Sequence, residues 1–116
     1  MKRTVFLAVA LVLAGAAAYA QQMTRLSVVT GGTGGVYYPL GGALANILSK
    51  YVPNTAATAE VTSASIDNLK LVGAGKADIA FSLADSAWEG YNGTGKFQAK
   101  MPIRALAVIY GNKTQV

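Results

Sequence analysis

The sequence predicts an α/β fold with a parallel sheet, in the order β-α-β-α-β-α-β, on three observations. Short apolar runs alternate with segments whose apolar residues recur at helical spacing, as βαβ units require. Each change from run to helix passes through glycine, serine or threonine, at 31–38, 63–66 and 82–86. No internal repeat of 20–50 residues and no low-complexity linker interrupts the pattern.

The elements follow in order. Arg25 to Thr30 (RLSVVT) reads as a buried first strand. Thr30-Gly31-Gly32-Thr33-Gly34-Gly35-Val36-Tyr37-Tyr38-Pro39 then leads into a helix whose Leu40, Ala43, Leu44, Ile47, Leu48 and Tyr51 form an apolar stripe. Pro39 suits a first helical turn, where its missing N–H costs nothing, and Pro53-Asn54 ends the segment. Thr58 to Thr62 is read as a second strand. The next helix starts at Ser63-Ala64-Ser65, with Ser63 or Ser65 as N-cap, Asp67 in the first turn, and Ile66, Leu69 and Val72 as its apolar face. Gly73-Ala74-Gly75 stops it. Ile79 to Leu83 is a third strand, Asp85 to Tyr91 a third helix broken by Asn92-Gly93-Thr94-Gly95, and 96–102 a mostly polar loop. Ile103 to Tyr110 (IRALAVIY) reads as a fourth strand, with an edge open to aggregation if unpartnered.

The chain begins with Lys2-Arg3, an apolar run of 14 residues from Val5 to Ala18, and Ala18-Tyr19-Ala20 ahead of Gln21. That is the layout of a cleaved signal peptide over residues 1–20, and the run is shorter than the ~20 residues of a spanning helix. Cleavage would leave 96 of the 116 residues and lower the net charge from +5 to +3 by removing Lys2 and Arg3. The remaining lysines are scattered, with no basic run or interleaved aromatics, so nucleic acid is not an expected partner. There are no cysteines and no histidines. This excludes Cys nucleophiles, Ser-His-Asp triads and His or Cys metal sites within the chain.

The three strand-to-helix junctions open at the carboxyl edge of a parallel sheet, where open α/β sheets bind ligands. Candidate ligand-binding residues are Gly32, Thr33, Gly34, Gly35, Tyr37 and Tyr38 at the first junction, Ser63 and Ser65 at the second, and Ser82, Asp85 and Ser86 at the third. Glycines admit close backbone approach and positive φ, and helix N-termini present N–H groups to an anion. The first loop is not a Walker A loop, because no Gly-Lys-Ser/Thr follows. It is not a dinucleotide fingerprint either, because Tyr37 stands where the third glycine belongs. Asp85 and Glu89, four apart, fit a solvated helix face better than a catalytic carboxylate pair. Asn92-Gly93-Thr94 and Asn112-Lys113-Thr114 match the glycosylation sequon, and Asn92-Gly93 is better read as a turn.

The motifs GGTGGVYYPLGG at 31–42, SASIDNL at 63–69, GKADIAF at 75–81 and DSAWEGYNGTG at 85–95 follow one another in a known pattern. The chain resembles the N-terminal part of a TAXI-type solute-binding protein of the tripartite ATP-independent periplasmic (TRAP) transporters. The resemblance covers nearly all of 24–116. It departs at Ser63-Ala64-Ser65, where the family more often has a glycine-serine start. It implies a periplasmic-binding-protein-like (type II) lobe and a non-enzymatic periplasmic protein without cofactor. Such a protein would capture a small, glutamate-like carboxylate and pass it to the membrane subunits. Residues 21–116 would then be a partial first lobe, with the second lobe missing. The alternatives are an exported enzyme or a surface interaction protein.

Overall fold

The computed structural model describes residues 23–111. The signal-peptide reading at 1–20 and the sequon at Asn112 lie outside the described residues. Three parallel strands, β1 (Thr24–Val29), β2 (Thr55–Glu60) and β3 (Ile79–Ala80), alternate with three helices. The helices are α1 (Tyr37–Tyr51), α2 (Ser65–Gly73) and α3 (Ala84–Asn92). The α/β class and the alternation are as the sequence predicts.

The sheet order is β2-β1-β3, with Thr24 opposite Thr55 through Val29 opposite Glu60, and Val28 and Val29 opposite Ile79 and Ala80. Right-handed crossovers, which parallel βαβ units adopt, put α1 on one face of this sheet and α2 on the other. Two apolar clusters match that arrangement. Val28, Ala45 and Phe81 form the first, with Tyr37, Leu40, Leu44, Ala57 and Ile79 against them. Leu69, Phe97 and Ile103 form the second, with Ile66, Val72, Ala87 and Met101. Successive strand residues face opposite sides, so Val28 and Val29 can both be almost wholly buried in the central strand.

Several element readings are corrected. Helix α1 starts at Tyr37, a turn earlier than Leu40, so Pro39 becomes its third residue, still among the positions whose N–H lacks a helical partner. Its inward face is also turned from the expected stripe. Gly41 and Ala45 are buried, whereas Ile47 and Tyr51 are 54% and 69% exposed. Small residues let the helix approach the sheet closely, and a Cβ on Gly41 would fall on Thr30 Cγ2. Strand β2 starts three residues earlier than expected and ends two earlier, because a turn at Asn54 (φ 53°) brings Thr55 into register with Thr24. Strand β3 is only two residues long, although Phe81 N–H still donates to Val29 O at 3.0 Å.

The fourth strand does not form. Residues 103–110 carry no strand pairing, and Leu106, Val108 and Ile109 stand 79%, 92% and 60% exposed. A strand exists by its ladder of hydrogen bonds, and none of the described strands pairs with this segment. The loop 96–102 is not merely polar, since Phe97 is buried and packs against Gly90. The stop of α3 is as expected, with Gly93 left-handed at φ 70°.

Candidate functional site

The carboxyl ends of β1 and β3 lie side by side, and helices leave them and β2 at the same edge of the sheet. This is the crevice at which open α/β sheets hold ligands. The loop after β1 begins with Thr30, fully buried, whose N–H and Oγ1 both donate to Glu60 O, at 3.0 and 2.7 Å. Gly31 follows, also buried, with Ala64 Cβ 3.4 Å and Tyr37 Cδ2 3.7 Å from where its own Cβ would stand. The loop then emerges as an exposed turn, closed by Gly35 N–H donating to Gly32 O at 3.0 Å.

None of the glycines from 31 to 35 adopts a positive φ. The expectation that this loop uses left-handed backbone is therefore corrected. What glycine supplies at 32 and 34 is open surface, because a Cβ at either position would meet nothing within 4 Å.

Tyr37, the first residue of α1, stacks at a tilt on Phe81 with ring centroids 5.5 Å apart. Its hydroxyl lies close to the Ser65 side chain, and Ser65 Oγ accepts the Leu83 N–H at 3.0 Å. A single chain of contacts thus joins all three junctions. Burial pushes the Tyr37 hydroxyl above its ordinary pKa; the nearby Ser65 hydroxyl opposes this, and Tyr110 and Asp85 nearby reinforce it. Because the folded-state value is raised, the neutral hydroxyl contributes stability that is fully present below pH ~10 and is lost as pH climbs past it. In paired chemical denaturation at pH 8 and pH 11, wild type is expected to lose more stability than Tyr37→Phe. Equal losses would show that Tyr37 is not the group responsible.

Neither Ser63 nor Ser65 is an N-cap. The cap of α2 is Ala64, and no side chain caps α1, α2 or α3. Three helix N-termini without a capping side chain therefore sit at one edge of the sheet, although in α3 Asp85 takes the Ser86 N–H. They differ in charge: α2 carries Asp67 and α3 carries Asp85 in the first turn, whereas α1 has no acidic residue there. The positive end of the α1 dipole is the one left unneutralised.

Ala64 itself has φ 70° and ψ −156°, a region essentially reserved for glycine that costs about 1–3 kcal/mol for other residues. Its N–H is held by Thr62 Oγ1 at 3.0 Å.

The remaining candidates are less closely drawn in. Tyr38 is exposed on the next position of α1, and Thr33 is exposed in the turn. Ser63 lines an open groove of about 490 Å³ with Asp67, Lys70 and Lys76. Ser82 Oγ donates to Leu83 O at 3.0 Å, and Asp85 Oδ1 accepts the Ser86 N–H at 2.6 Å. Asp85 and Glu89 do not pair, since Glu89 lies against Gly95 instead.

Asn68 escaped the sequence reading. It is fully buried, and its Nδ2 lies within hydrogen-bond distance of Val29, Thr30 and Phe81 carbonyls. A polar residue immediately before the buried Leu69 was the available signal.

Among the described residues, no helix is long and apolar enough to cross a membrane, and no three acidic residues gather as a metal site would require. A family model described as the NMT1-like family matches residues 28–116, which takes in all three junctions. It is a periplasmic-binding-protein-like family with a solute-binding role.

Proposed function

This chain belongs to the NMT1-like family, and on that premise we propose that it is the extracytoplasmic solute-binding subunit of a TRAP-type secondary transporter of the TAXI kind. Its ligand is a small, glutamate-like carboxylate, which it delivers to membrane subunits. In this reading residues 1–20 are a cleaved signal peptide, and residues 21–116 are the larger part of a first lobe whose second lobe lies outside this chain.

The observation that carries the carboxylate is the N-terminus of α1. It has no side-chain cap and no acidic residue in its first turn, and the open surface of Gly32 and Gly34 lies just ahead of it. Backbone N–H groups and the helix dipole suit an anion at such a place without any lysine or arginine. Tyr37 and Ser65, close to each other, add hydroxyls that can turn toward a carboxylate oxygen.

Calorimetric titration of the full-length protein with L-glutamate, L-glutamine and succinate tests the reading. Binding of at least one is expected. Residues 21–116 alone should bind it at least about a hundredfold more weakly, because one lobe leaves half the ligand in water. Absence of heat with every carboxylate would sink the ligand class, and tight binding by 21–116 would sink the two-lobe reading.

A further inference from the structure

The three ligand loops are held in register by one buried side chain. Asn68, the fourth residue of α2, is fully buried. Its Nδ2 donates toward Thr30 O at 2.6 Å and Phe81 O at 2.8 Å, with Val29 O at 3.3 Å. Its Oδ1 accepts from Thr62 Oγ1 at 2.5 Å. Val29 ends β1 and Thr30 follows it, Thr62 lies in the β2–α2 loop and Phe81 follows β3, so this amide contacts the residue that precedes each junction of the candidate site. Thr62 Oγ1 extends the network, lying 3.2 Å from Thr30 O and accepting the Ala64 N–H at 3.0 Å.

We propose that Asn68 is the positioning residue of the ligand site, fixing the N-termini of α1, α2 and α3 relative to one another before a ligand arrives. The residue type follows from the geometry. A carboxamide supplies two donors and an acceptor in one plane, which the strand-end carbonyls and the Thr62 hydroxyl all use. A leucine of similar size withdraws those donors, leaving Val29 O only the Phe81 N–H and Thr30 O only the Thr62 hydroxyl, and an aspartate sets a negative charge against the carbonyls. The effect on affinity rests on the ligand-binding reading above; the coupling of the loops does not.

Hydrogen–deuterium exchange on the ligand-free, full-length protein tests the coupling. In Asn68→Leu, the hydrogen-bonded amides that border the three junctions, Thr30, Ala64, Phe81 and Leu83, are expected to exchange at least about tenfold faster together, with the middle of α1 unchanged. Thr62→Val, a milder cut, should speed exchange at Thr30 and Ala64 only. Acceleration confined to α2, or spread evenly over the domain in both variants, would overturn the proposal.

Asn68→Asp supplies a readout that packing alone would not move. Its carboxyl, buried against carbonyl oxygens, should titrate above the ordinary range, so its melting deficit relative to wild type should narrow as pH falls from 7.5 to 4.5. The Asn68→Leu deficit should stay constant over that range. A pH-independent Asn68→Asp deficit counts against the donor role. Titration of wild type with L-glutamate, L-glutamine and succinate separates the two readings, since no binding of any of them removes the carboxylate reading and leaves the exchange result standing.

Discussion

Gly41→Ala is expected to destabilise the domain by about 1–3 kcal/mol, although alanine is the better helix former by about 1 kcal/mol. The added methyl would fall on Thr30 Cγ2 and come within 3.5 Å of Phe81 Cε2. Thr30 cannot simply turn away, because its Oγ1 is bonded to Glu60 O at 2.7 Å and its surroundings are closed. Thr30→Ser removes the obstructing carbon and keeps that hydroxyl. In the Thr30→Ser background, Gly41→Ala should therefore be neutral or stabilising. Urea denaturation of the four proteins gives the coupling directly. If the two changes are additive, α1 does not lie against Thr30 as described.

Gly34→Val should do the opposite: leave stability within about 0.5 kcal/mol and abolish ligand binding. Gly34 lies in the exposed turn, has no left-handed φ, and a Cβ there meets nothing within 4 Å. The folded chain has room for the larger side chain, and its branches would occupy the space ahead of α1. A loss of affinity of at least about a hundredfold, roughly 2.7 kcal/mol, is expected in calorimetry with L-glutamate on the full-length protein. Unchanged affinity with an unchanged melting curve would make residues 31–35 a plain turn. The two glycines stand seven residues apart in one motif, one needed by the packing and the other, on the proposed reading, by the ligand.

That difference marks the limit of what the chain spells out in its letters. Helical spacing located α1 through Leu40, Leu44 and Leu48, and Ile66, Leu69 and Val72 do pack as one face. The rotation of α1 was missed because Gly41 and Ala45 carry too little apolar surface to dominate a pattern count. They are nonetheless the residues that allow the closest approach. The Ile103–Tyr110 segment has strand-like composition, but strand formation depends on a neighbour elsewhere in space.

The candidate site was legible by topology, since glycines and serines at three junctions had to meet at one edge. Which side chains join there was not. Tyr37 reaches Ser65 across 28 positions, and Asn68 reaches Val29 across 39, and neither pairing leaves a mark in local spacing. Ser63 and Ser65 looked alike, yet one faces an open groove and the other ties Tyr37 to Leu83.

The backbone at Ala64 has an energetic consequence for motion. With φ 70° and ψ −156°, this alanine is a wound spring at the foot of α2, held by the Thr62 hydroxyl on one side and by Gly31 close by on the other. Any movement of the β2–α2 loop that lets residue 64 swing to negative φ is favoured by about 1–3 kcal/mol before other contacts are counted. A conformational change starting here would begin downhill, and a glycine at the same position would leave it on level ground.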